Sequence, residues 1–191
     1  MEQIVSYDQD LFVFLNGLGS AQWDTLWLFI TNKLSSIPLY AVLLYLIYKS
    51  LGLRGTIVTV LCVVLLITCV DQLANLFKHG FMRPRPCRVD EFNDVIHYVA
   101  VRCGKYGYYS AHAGNSMAIA IFTGLVLKAN YKNILLWLIV WSFVVGYSRI
   151  YVGVHYPGDV LTGWAIGATI GYLIYRLHKI LVKRFGHTGE N

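Results

Sequence analysis

Five stretches of this chain carry no Asp, Glu, Lys or Arg: residues 34–48, 56–70, 106–127, 133–148 and 160–175. Four of them are shorter than the roughly 20 apolar residues that cross a hydrocarbon core, so each alone would also suit a buried helix of a soluble domain. Together, in 191 residues, they leave too little polar surface to coat a globule. Extended into flanks such as Lys78, Arg149 and Asp159, every one reaches spanning length, and those flanking groups then sit at the membrane surface. Composition agrees, with 57% hydrophobic and only 14% charged residues, against about a quarter charged in an average soluble domain. The expectation is an all-α integral membrane protein, a bundle of about five to six transmembrane helices. Spanning helices are placed near 34–50, 55–77, 109–128, 132–152 and 158–182. Residues 8–33 read as N-terminal interfacial helices, or partly spanning ones. There Leu11, Phe12, Phe14, Leu15 and Leu18 alternate with polar breaks, and Trp23 and Trp27 suit the headgroup layer. The whole of 1–191 reads as one membrane domain.

The opening Met-Glu-Gln lacks the basic region of a cleavable signal, so the first spanning helix is expected to remain as an anchor. The formal charge of +6 is accounted for in part by topology. Lys49 and Arg54, Lys128 and Lys132, and the C-terminal Arg176, Lys179, Lys183 and Arg184 occupy loops that the positive-inside rule makes cytoplasmic. The opposite face then holds Lys78, Arg83, Arg85, Arg88, Arg102, Lys105 and Arg149. Cations there run against the topological bias and call for an anionic ligand. Nucleic acid is not expected, because no basic helix face or aromatic platform is present. Gly163, Gly167 and Gly171 let helix backbones approach closely, either within the subunit or across a homodimer contact.

Three polar clusters interrupt the apolar pattern, all within 78–159 and all on that basic face. In the first, Lys78 and Arg85-Pro86 put two cations seven residues apart at a helix exit. Arg offers a planar fork for phosphate oxygens and Lys a compact charge, or both simply snorkel to the headgroups. The second, Tyr109-Ser110-Ala111-His112, opens a helix whose N-terminal N–H groups suit an anion. Equally, Ser110 is a capping residue beside an interfacial His. In the third, Ser148-Arg149 precedes His155 and Asp159. A carboxylate four residues on can hold one imidazole nitrogen and leave the other free to attack. Pro157 and Gly158 leave open whether the two meet on a helix face or across a turn, and a purely structural pair that caps the last helix is the alternative.

In order and spacing these clusters resemble the signature of the type-2 phosphatidic acid phosphatase superfamily: K-x6-RP, then PSGH, then SR-x5-H-x3-D. The first and third match in full. The second departs at Tyr109 for Pro and Ala111 for Gly, which bears on the fine geometry of that loop. The resemblance implies a bacterial inner-membrane enzyme that hydrolyses a lipid phosphate or pyrophosphate. Lys78, Arg85 and Arg149 would clamp the phosphate, and Ser110 with the N–H groups around Ala111 would complete its cradle. His155, oriented by Asp159, would attack phosphorus, and His112 would protonate the leaving oxygen. Undecaprenyl pyrophosphate stands first among the substrates implied, ahead of lipid A phosphates, phosphatidylglycerol phosphate and phosphatidic acid. The site would face the periplasm, with the C-terminus in the cytoplasm.

No metal or other cofactor is needed in this scheme. Cys62 and Cys69 fall in an apolar run, and Asp90, Glu91 and Asp94 lack a ligand pattern and read as a solvated loop face. Cys87 and Cys103 bracket the long segment between the first two clusters in an oxidising compartment, and are expected to form a disulfide at its neck. Two other readings share these residues. A phosphotransferase would use the same site with a different acceptor, and a non-catalytic membrane protein would bind anionic lipid with no need for two histidines and an Asp. The related vanadium haloperoxidases are soluble, unlike a chain of lipid-length helices.

Overall fold

The computed structural model describes residues 2–92 and 94–185. Its helices are α1 (Glu2–Gly17), α2 (Asp24–Thr31), α3 (Ile37–Phe81), α4 (Ala111–Leu127), α5 (Ile134–Tyr151) and α6 (Pro157–Phe185). Short 3-10 turns lie at Lys33–Ser36, Pro86–Arg88 and Asp90–Phe92. No strand occurs among the described residues, where Pro84 and Tyr106 form an isolated antiparallel bridge.

α3 is 45 residues long, which at about 1.5 Å per residue would overshoot a roughly 30 Å hydrocarbon core twofold if straight. It breaks at Gly52, where φ is 66° and ψ −175°, a conformation open in practice to glycine alone. A Cβ there would meet nothing within 4 Å, so the need for glycine is conformational, not steric. Leu43, Leu44 and Ile47 before the break line the same cavity as Thr59, Val60 and Val63 after it. The chain therefore doubles back as two spanning arms. The sequence places a turn of several residues between 50 and 55, and one glycine is enough.

Residues 33–81, α5 and α6 are each long and apolar enough to cross a membrane, whereas α4 has 17 residues. α4 sits at the centre, with Ala113, Gly114, Ala118, Ala120 and Phe122 fully buried or nearly so. Its small residues admit α6. A Cβ on Gly163, Gly167 or Gly171 would strike the carbonyl oxygens of Ser110, Gly114 and Ala118 respectively, at 2.6, 2.2 and 2.6 Å. This glycine stripe packs against α4 of the same chain, the first of the two contacts expected of it. Large apolar side chains such as Leu61, Val64, Trp137, Leu161 and Leu173 point outward, as a lipid-facing surface requires.

The N-terminal segment is helical, as expected, and packs on the bundle. Its helix begins at Glu2 rather than near residue 8, and it packs inward along Asp8, Phe12 and Asn16, one residue per turn. Phe12 is fully buried against Tyr156, Val160 and Ile150. Asn16 Nδ2 donates to the carbonyls of Ile150 and Tyr151 at 3.0 and 2.8 Å, and its Oδ1 accepts from His97 N–H at 2.7 Å. These bonds tie α1 to the end of α5 and to the long 82–110 segment. Within that segment Cys87 and Cys103 are joined as a disulfide, 16 residues apart with Cα atoms 6.3 Å apart.

Candidate active site

The three polar clusters converge at one end of the bundle. α3 ends where Met82 takes a left-handed conformation (φ 47°), which swings the chain away just after Lys78 and leads into Arg83-Pro84-Arg85-Pro86. Arg85 is held by its Nε–H, which donates to the Tyr106 carbonyl at 3.0 Å. Its side chain runs beside two glycines: a Cβ on Gly104 would lie 3.3 Å from the guanidinium carbon, and one on Gly107 3.0 Å from Cγ. The same hypothetical atom on Gly107 would sit 3.2 Å from Asp159 Oδ2 and 3.6 Å from His155 Nδ1. Gly107 thus marks the point at which the first and third clusters touch.

Ser110 caps α4 in an extended conformation, its hydroxyl accepting weakly from Ala113 N–H at 3.5 Å. Its own N–H donates to the Asp159 carbonyl at 3.0 Å, so the capping loop is pinned to the start of α6. Tyr109 is fully buried and donates its hydroxyl to the Val70 carbonyl at 2.9 Å. Tyr109 follows a cis peptide bond from Tyr108. His112, in the first turn of α4, lines a cavity of about 210 Å³ together with Thr31, Lys33, Asp71, Asn115 and Trp141.

His155 precedes α6 and Asp159 lies in its first turn, so they meet across the helix entrance, with His155 Nδ1 3.3 Å from Asp159 Oδ2. The same oxygen accepts from Tyr156 N–H at 3.1 Å. The Gly107 backbone lies against the same ring. A carboxylate only accepts hydrogen bonds, so in this contact Nδ1 carries the proton and Nε2 keeps the lone pair. His155 is 2% exposed. Burial, and then the charges of Arg85, Arg149 and Lys78, hold its pKa well below the ordinary 6.5, which favours the neutral ring.

Arg149, in the last turn of α5, donates from Nη1 to Thr31 Oγ1 at 2.5 Å, and Ser148 donates to the same hydroxyl at 3.2 Å. Its buried Nε has no partner among the described residues. Nor does any carboxylate oxygen lie within 4.0 Å of Lys78, Arg85 or Arg149 among them. Three cations gathered round a buried imidazole, none of them in an ion pair among the described residues, suit an anion with several oxygens.

Four contributors carried no clear signal in the sequence. Arg83, counted there only as one more basic residue, donates to Asp159 Oδ1 at 3.0 Å and to Asp8 Oδ2 at 2.7 Å, with its guanidinium 4.0 Å above the Tyr156 ring. Asp8 in turn accepts from Gly158 N–H at 2.7 Å. Thr31 anchors Arg149, and Gly107 makes room for His155. For Arg83 and Gly107 the only hint is proximity to a motif; for Asp8 and Thr31 there is none.

The sequence pattern of the PAP2 superfamily matches residues 56–183. The chain is 33% identical over 187 residues to a lipid A 4′-phosphatase of Bacteroides thetaiotaomicron, covering 96% of this chain and 82% of that one. It is 31% identical to a lipid A 4′-phosphatase of Porphyromonas gingivalis, over 93% of this chain and 75% of the relative. With an undecaprenyl-diphosphatase of Sulfolobus acidocaldarius it shares 28% identity over 93% of its length and 82% of the relative's. Among solved structures, a PAP2-type phosphatidylglycerolphosphate phosphatase from Bacillus subtilis superposes with a TM-score of 0.75 at 18% identity, covering 95% of this chain and 89% of that one.

Proposed function

This chain belongs to the PAP2 superfamily and is a membrane lipid phosphatase, and from that premise we propose how its residues carry the reaction. Lys78, Arg85 and Arg149 grip the phosphate oxygens, with the N-terminal N–H groups of α4 behind Ser110 supplying further donors. His155 Nε2 attacks phosphorus, a P–N bond forms and the P–O bond to the lipid breaks. The departing oxygen takes a proton from His112. Asp159 balances the positive charge that the phosphorylated imidazole acquires. Water then gives a proton back to His112 and attacks phosphorus, the P–N bond breaks, and inorganic phosphate leaves with His155 neutral again. The observation that carries this reading is the group of three cations, without carboxylate partners, around one histidine held in its Nδ1–H form.

Lipid A bearing a 4′-phosphate is the substrate we favour, because two relatives so named align along more than nine-tenths of the chain. Undecaprenyl pyrophosphate, first on sequence grounds, is the second reading, supported by the relative of that activity at 28% identity. The basic loops at Lys49 and Arg54, at Lys128 and Lys132, and along the end of α6 support an extracytoplasmic site in the inner membrane.

Phosphate release from a panel of these lipids by purified protein tests the assignment. His155→Ala is expected to lower the rate by several orders of magnitude. His112→Ala is expected to let labelled phosphate accumulate on the protein. A His155→Ala variant close to the parent rate would overturn the mechanism.

A further inference from the structure

The cavity beside His112 contains a polar pair that the phosphate clamp does not use. Asn115 Nδ2 donates to Asp71 Oδ1 at 2.8 Å, and both residues line the cavity with His112. A carboxylate only accepts hydrogen bonds, so the Asn115 amide nitrogen must face it and Oδ1 must point away. That oxygen is buried and has no partner among the described residues. The pair therefore offers one carboxylate and one unpartnered amide oxygen, both acceptors.

Geometry says what meets them. Attacking and leaving groups lie roughly in line at phosphorus. His155, the proposed nucleophile, is buried and does not line this cavity, whereas His112, the proposed acid, does. The leaving oxygen thus departs into the cavity, and the atoms next to it reach Asn115, one turn along α4 from His112. Resting on the phosphatase reading above, we propose that Asp71 and Asn115 form a leaving-group subsite that selects an alcohol flanked by hydrogen-bond donors. Hydroxyl or amide N–H groups on a sugar ring satisfy both acceptors. The second phosphate of a pyrophosphate brings no donor at neutral pH and is repelled by Asp71. Lys33, exposed at the rim of the same cavity, is a cation that would favour the opposite preference.

The test compares kcat/KM for a phosphorylated N-acylglucosamine lipid with that for a polyprenyl pyrophosphate, both measured on one preparation so that any inactive fraction cancels in the ratio. The parent protein is expected to prefer the sugar phosphate at least tenfold. Asp71→Asn and Asn115→Ala are each expected to cut that ratio about tenfold, Asp71→Asn partly by improving the pyrophosphate. Equal losses on both lipids would make Asp71 merely a support for nearby Lys78 and overturn the subsite. A parent preference for pyrophosphate would overturn it too. Release from neither lipid by the parent protein, by contrast, would defeat the phosphatase reading itself.

Discussion

Arg83 shows how much of this site depends on a residue outside the signature. Asp159 is fully buried and Arg83 is about one-fifth exposed, at 0% and 21%. Removing the guanidinium leaves a buried carboxylate without its counter-charge and cuts the link to Asp8. Breaking a buried pair from one side costs about 3–5 kcal/mol, and partial exposure of Arg83 puts the expected loss at the lower end. Arg83→Ala should lower the melting temperature and reduce kcat at least tenfold, whereas Asp8→Asn, at a residue that bonds Arg83 and Gly158 but neither His155 nor Asp159, should show the stability loss with a smaller effect on rate. Thermal unfolding and phosphate release on the same samples separate the two. The depressed pKa of His155 sets a pH dependence. Above 6.5 both folded and unfolded chains keep this ring neutral. As pH falls below 6.5 the unfolded chain gains a proton that the folded one refuses, so stability declines with acid. Melting temperatures between pH 8 and pH 5 should therefore fall more steeply for the parent than for His155→Gln.

At the scale of elements, the contact between α4 and α6 determines whether the two histidines face one phosphate. Gly163, Gly167 and Gly171 lie on successive turns of α6 against the backbone of α4, and the helices hold Ser110 and His112 opposite His155 and Asp159. Gly167→Ala places a Cβ 2.2 Å from the Gly114 carbonyl oxygen, where backbone cannot yield as a flexible side chain would. A cost of about 1–3 kcal/mol is expected from such overpacking, with activity falling because the helices separate. Gly17→Ala, where a Cβ meets nothing within 4 Å, is the control that should change neither. The spacing of these glycines was legible in the sequence. Which partner they served was not, because a small-residue stripe fits a neighbouring helix of the same chain as well as one from a second copy.

For the whole molecule, the proposed membrane orientation rests on the distribution of cations. Clusters drawn from residues 78–85, 109–112 and 148–159 meet at one end, roofed by α1 and by the segment closed by Cys87 and Cys103. If that end faces outward, an impermeant thiol reagent applied to intact cells should label Cys87 and Cys103 only after reduction, in a background lacking Cys62 and Cys69. Labelling that requires broken cells would reverse the topology.

The amino-acid sequence by itself determined the class of fold and the chemistry. Lipid-length apolar runs admit only helices whose backbone bonds close internally, and the proposed reaction draws on Lys78, Arg85, His112, Arg149, His155 and Asp159 at spacings that survive as strings. Tertiary structure alone decided the rest. Asp8 reaches Arg83 across 75 residues and Thr31 reaches Arg149 across 118, separations at which no local rule relates one residue to another. The same holds for the Asp71–Asn115 pair, 44 residues apart. Contacts between elements depend on how helices pack, and packing leaves no fixed interval in the chain.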